Sequence, residues 1–217
     1  MTEEIRRVAV WSGWLRFVHG ALAAATLILI ATGWLVAHSP ALAEAAADIH
    51  FIAASVLIAA LVLRLFLGIA GKGSDRFEHM LPQRSDLAGM RASLLFFLSL
   101  GKAPLPSWYA HNPLWKPIYL ILFVLLGLSA LTGWIMPEMQ VISRLYLPKV
   151  HTWLSNAIIV VTVAHVFGVM LQDVKGKTAD ISAMLNGYRY FSIERDRSVQ
   201  PRAKPVSIKL DDFGKSE

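Results

Sequence analysis

Cysteine is absent from the 217 residues, and charge is scarce, with 17% of residues charged against 55% hydrophobic. The first absence excludes a disulfide framework, a Cys-ligated zinc, an iron–sulfur cluster and haem attached through C-x-x-C-H. The second departs from the roughly 25% charge of a soluble domain, and the hydrophobic share exceeds the usual ~45–50%. Such a chain is solvated in part by lipid. The formal charge of +6 does not indicate nucleic acid, because Lys and Arg fall between and after apolar runs rather than on one soluble face.

Four apolar stretches are present: Trp14–Ala37, His50–Ala70, Pro117–Ile135 and Val150–Leu171. Each approaches or exceeds the roughly 20 residues that cross a ~30 Å hydrocarbon core as a helix. None shows the charged face, at helical period, of a soluble bundle. The expected fold class is an all-α membrane protein, a four-transmembrane-helix bundle. The first stretch follows Thr2, Glu3 and Glu4 without a small-residue cleavage site, and reads as a retained helix rather than a signal peptide.

Lys and Arg set the orientation. Arg6, Arg7 and Arg16 precede or open the first span, and the loop from Ala37 to Ile49 has neither Lys nor Arg. Lys72, Arg76, Arg84, Arg91 and Lys102 fill the second loop, Arg144 and Lys149 the third, and the chain after Leu171 is basic. Both termini are expected in the cytoplasm, and loops one and three outside. In the second loop, Leu87–Leu100 is apolar but short, which predicts an interfacial or docked helix. Residues 1–191 read as one transmembrane domain and 192–217, with mixed charge and two prolines, as a basic, flexible tail. Thr32-Gly33-Trp34 and Thr132-Gly133-Trp134 each close a span at the outer face, where small residues allow close packing and Trp suits the interface.

Four of the seven histidines, His19, His50, His151 and His165, lie inside the spans, where ionisable residues mark function. His151 and His165 are 14 residues apart, about 21 Å along one helix and within about 40° of whole turns. They therefore share a side of the fourth span, one near each membrane face. His19 opens the outward-running first span and matches His165 in depth; His50 opens the inward-running second span and matches His151. Two bis-histidine sites at different depths point to two b-type haems, with closed axial positions that favour electron transfer over oxygen chemistry. Zinc, which takes about four ligands together, fits separated pairs poorly. Arg16, three residues before His19, and Arg64, 14 after His50, are the candidates for haem propionates at the inner site. Lys149 and Arg144 are the candidates at the outer one. His38, His79 and His111 lie in loops or at span ends and read as bland, with His38 a candidate proton shuttle.

The ordered set Trp14-Leu-Arg-Phe-Val-His19, His50, Leu63-Arg64, His111-Asn-Pro-Leu114, Leu131-Thr-Gly133, His151, His165 and Met184-Leu-Asn-Gly-Tyr-Arg189 resembles a known family. It is similar to the bacterial di-haem cytochromes b of the b561 type, which include the cytochrome b subunit of nickel–iron hydrogenases. The resemblance implies haem ligation by the same four histidines, exchange of electrons with membrane quinone, and a partner redox protein, hydrogenase-like or a multihaem cytochrome, commonly on the outer face. One stand-alone type in the family implies an alternative: a cytochrome that oxidises a small donor such as superoxide and reduces quinone. A proton carrier without haem is a third reading, for which broken helices and repeated half-folds are not evident in the sequence.

Overall fold

The computed structural model describes residues 2–175 and 180–195. Among these described residues, four helices are long and apolar enough to cross a membrane. The first, α1 (Gly13–His38), is capped by Ser12, whose Oγ accepts from the Leu15 N–H at 3.0 Å. A 3-10 turn at Pro40–Leu42 leads into α2 (Ala43–Ala70). This helix begins seven residues before the expected His50. The segment Ala43–Asp48 is not an apolar run, but it is Ala-rich and opens with Glu44 in the first turn, and both favour a helix start. Three 3-10 turns and α3 (Leu87–Leu98) fill the second loop. The expected docked helix is therefore present, with Ser93 and Phe96 almost wholly buried. Asn112 stops the loop and starts α4 (Trp115–Ile135) by accepting the Leu114 N–H through Oδ1 at 3.0 Å.

Outside the membrane the structure adds elements that a purely helical reading lacks. Strand β1 (Thr2–Ala9) precedes α1 and pairs antiparallel with β4 (Tyr188–Arg195), from Ala9↔Tyr188 to Thr2↔Arg195. A short hairpin, β2 (Val141–Ile142) and β3 (Leu145–Tyr146), turns through Ser143 and Arg144, both at positive φ (47° and 77°). It leads into α5 (Leu147–Lys175), and α6 (Asp180–Asn186) precedes β4. The expected tail boundary at residue 191 thus falls inside β4; residues 196–217 of that tail lie outside the described residues.

Helices α1 and α2 pack together, as do α4 and α5, and α2 meets α4. Midway along the bundle one buried residue from each helix meets in a single cluster: Ala25, Leu57, Leu126 and Ile158. Large apolar side chains such as Phe17, Ile52, Phe66, Val160 and Phe167 point outward, as expected where the surrounding solvent is lipid.

Candidate functional site

The mid-bundle cluster is flanked by two histidine pairs. Ile158 stands seven residues from both His151 and His165, and Leu57 seven from both His50 and Arg64, so the layer lies between the two ends. Helical rise places His151 and His165 about 21 Å apart along α5. At one end His19 faces His165, with ring centroids 6.4 Å apart and planes at 63°. At the other His50 faces His151, at 6.3 Å and 67°. The pairing expected from depth is the pairing in the structure. In both pairs the rings stand apart by what a shared metal requires: two metal–imidazole bonds of about 2 Å plus half of each ring put centroids about 6 Å apart. Among the described residues no group of three or more His, Asp or Glu could hold a metal ion; the histidines meet in twos. Two axial imidazoles around an iron fit this arrangement.

The His50–His151 pair, the outer one in the orientation expected from Lys and Arg, is held by the two Thr-Gly segments. Thr32 Oγ1 donates to the Ile28 carbonyl at 2.7 Å and lies 2.9 Å from His50 Nδ1. Thr132 Oγ1 repeats this on α4, donating to the Leu128 carbonyl at 2.9 Å and lying 3.0 Å from His151 Nδ1. His151 Nδ1 is also 3.1 Å from the Ser129 carbonyl. Because each hydroxyl spends its proton on its own helix, the ring nitrogens donate to it, and Nε2 of both histidines keeps its lone pair for a metal. The glycines that follow lie against the rings, and at Gly133 the missing Cβ makes room for one of them. A Cβ on Gly33 would sit 3.5 Å from His50 Cε1, and one on Gly133 only 3.2 Å from His151 Cε1. The sequence echo is thus more than interface chemistry: it orients both outer histidines.

The inner pair has different surroundings. His165 is boxed by the edges of Trp115 and Tyr119, at 5.3 and 5.7 Å between centroids, and its Nδ1 is buried without a hydrogen-bond partner. Trp115 reaches this position because Gly168 carries no Cβ, which would stand 2.9 Å from the indole. Phe97 of α3 packs edge-on against the same indole at 6.2 Å. Other buried polar atoms without partners gather at this end of the molecule: Arg16 Nε, Asp75 Oδ1, His111 Nδ1, Asn112 Nδ2, Trp115 Nε1 and Gln172 Nε2. Buried polar groups are nearly always satisfied, so such a concentration, mostly of donors, marks a place built to receive an acceptor.

Both candidate arginines lie at this end and both already hold backbone. Arg16 donates through Nη1 to the Leu185 carbonyl at the end of α6. Arg64, 4% exposed, donates to the Asp75 carbonyl at 2.9 Å and lies over the Phe77 ring at 4.9 Å, pinning the second loop to α2. At the outer end Lys149 lies over Trp153 at 5.2 Å, and Arg144 sits in the hairpin turn. His38 stacks on Trp34 and contacts its carbonyl through Nδ1 at 2.9 Å. His79 is exposed beside Glu78.

Sequence reasoning read His111 as bland and passed over its burial against Trp11, with ring centroids 5.0 Å apart, and against Tyr119. Burial, together with the charges of Arg64, Lys116 and His79, pushes its imidazole down to about 4. It also passed over the clasp that closes the inner end. Gly187, at φ +88°, presents its carbonyl to the N–H groups of Val10 and Trp11 at 2.9 and 3.1 Å, and Arg189 donates to the carbonyls of Trp108 and Tyr109. The signal was the Asn186-Gly187-Tyr188-Arg189 segment itself.

Residues 10–187 match the family model described as prokaryotic cytochrome b561. A probable Ni/Fe-hydrogenase B-type cytochrome subunit of Cupriavidus necator is 25% identical over 224 aligned positions, which cover 87% of this chain and 89% of that one. No solved structure gives a significant match. Four membrane-length helices and a family match over most of the chain lead to one conclusion: the chain belongs to the prokaryotic cytochrome b561 family of multi-pass membrane proteins, and this membership implies haem b and electron transfer.

Proposed function

We propose that the chain is a di-haem cytochrome b that passes electrons from a redox partner at the outer membrane face to membrane quinone, with both termini in the cytoplasm. The observation that carries this reading is the pair of facing histidine couples, 6.4 and 6.3 Å between rings, on either side of an apolar layer. Haem b held by two imidazoles would supply reversible one-electron transfer. His19 and His165 would hold the inner group, His50 and His151 the outer one. Ala25, Leu57, Leu126 and Ile158 keep water out between them.

Arg16, whose buried Nε has no partner, and Arg64, which has further N–H groups beyond the one given to Asp75, are the cations for inner propionates. The gathering of buried donors at the inner end supports a quinone carbonyl as acceptor there. The hydrogenase subunit among the relatives supports a hydrogenase-like donor. The test is haem quantified per chain by reduced-minus-oxidised spectra in His165→Ala and His151→Ala, followed by quinone reduction in liposomes. One haem is expected to remain in each variant. Two haems per chain in either variant refutes the pairing, and two-haem wild-type protein that leaves quinone oxidised refutes the acceptor.

A further inference from the structure

The two histidine pairs differ in one respect that bears on the direction of electron flow. Each outer imidazole gives its Nδ1–H to a threonine hydroxyl, Thr32 for His50 at 2.9 Å and Thr132 for His151 at 3.0 Å, and His151 also faces the Ser129 carbonyl. At the inner pair, His165 Nδ1 is buried with no partner, enclosed by the Trp115 and Tyr119 rings. Among the described residues no hydrogen bond reaches the His19 ring either. An imidazole that donates through Nδ1 is a more basic ligand at Nε2. A more basic ligand favours the oxidised, more positive iron and lowers its potential, a tuning by outer hydrogen bonds that haem proteins use generally.

We infer that Thr32 and Thr132 are positioning residues which fix the outer site as the low-potential site, so that electrons run downhill from the outer pair to the inner one. This rests on the di-haem reading above, whose direction it shares, and adds to it the residues that set the potential difference between the two sites. Neither threonine touches the iron; both act through the histidine ring. Their placement is specific. Each lies one residue before a glycine that packs against the ring, Gly33 and Gly133, and each hydroxyl is turned toward the histidine by donating to the carbonyl one turn back. Valine keeps the shape of threonine and removes the hydroxyl acceptor, whereas serine keeps it; at His151 the Ser129 carbonyl, 3.1 Å from Nδ1, remains after Thr132→Val.

The experiment is a potentiometric titration of the purified full-length holoprotein, followed in the visible spectrum, for wild type, Thr32→Val, Thr132→Val and the two serine variants. Two midpoints are expected in wild type. Each valine variant is expected to raise the lower midpoint alone, Thr32→Val by a change of up to about tenfold in the reduction equilibrium, or about 59 mV for one electron, and Thr132→Val by less, because the Ser129 carbonyl still accepts from His151. The serine variants are expected to stay at the wild-type value. His165→Ala provides a check that needs no threonine variant, since its surviving haem is expected at the lower wild-type midpoint. The inference is overturned if the valine variants move the higher midpoint, if haem-replete valine variants move neither, or if the His165→Ala survivor sits at the higher one. Folded wild-type protein with fewer than two haems overturns the di-haem reading, and this inference with it. Two haems whose midpoints ignore the threonines overturn this inference alone.

Discussion

His111 gives the sharpest test of how the inner end is built. Its imidazole lies against Trp11 and Tyr119, with Arg64, Lys116 and His79 near enough to repel a proton, and it titrates at about 4 rather than the ordinary 6.5. In the unfolded chain the ring takes up a proton below about 6.5; in the folded protein it stays neutral down to about 4. Stability therefore falls as pH drops through that window and is flat in this group above and below it. At about 1.36 kcal/mol per pH unit, the whole window is worth about 3 kcal/mol. Between about pH 7.5 and 5 the loss is about 2 kcal/mol. The perturbation is His111→Gln, which keeps a polar side chain of similar reach and cannot titrate. The assay is unfolding of the detergent-solubilised holoprotein, followed by tryptophan fluorescence, at those two pH values for wild type and variant. Other titrating groups cancel in the difference, so the variant is expected to lose about 2 kcal/mol less than wild type on acidification. Equal losses in the two proteins would show that His111 is solvated or paired, and would refute the reasoning.

Gly133→Ala, whose Cβ would stand 3.2 Å from His151 Cε1, is expected to lower haem per chain more than Gly33→Ala, at 3.5 Å from His50; equal haem content in both would contradict this. The ion pair of Lys116 with Asp86, 2.8 Å apart and with side chains 13% and 15% exposed, ties the start of α4 to the turn before α3. Lys116→Met is expected to cost about 2 kcal/mol by leaving the carboxylate short of its partner, and Asp86→Asn in the same chain to restore part of it, as read by thermal unfolding. Gly187→Ala meets both a positive φ of +88° and the Trp11 carbonyl at 2.9 Å. It is expected to cost about 1–3 kcal/mol and to speed proteolysis between β4 and α6, whereas unchanged cleavage would place the turn outside the stable fold.

The spans and the histidine partners were legible in the sequence because both rest on simple periods. Twenty apolar residues report a bilayer, and 14 residues report one face of one helix at two depths. The start of α2 was not legible, since Ala43–Asp48 carries two acids and resembles an outer loop until its alanines are weighed as helix formers. The role of Thr32 and Thr132 was visible only as a repeated triplet; assigning it needed the ring of a histidine on another helix to arrive beside it. The β1–β4 ribbon was the hardest to see. Its strands lie at opposite ends of the chain, and Arg6, Arg7 and Arg189 weigh first as topology signals rather than as strand residues. The burial of His111 follows from that same closure, which brings Trp11 over it.

That ribbon also imposes a schedule on biogenesis. Ala9 pairs with Tyr188, so the first strand waits while some 180 residues are made. At the usual ~5–20 residues per second this is about 10–40 s on the ribosome. During that interval all four spans enter the membrane, but the Val10 and Trp11 amides lack the Gly187 carbonyl and Arg16 lacks the end of α6. The outer histidine pair is complete once α5 has emerged. The other end is sealed only after β4 leaves the ribosome, so the clasp closes on histidine pairs whose helices are already made.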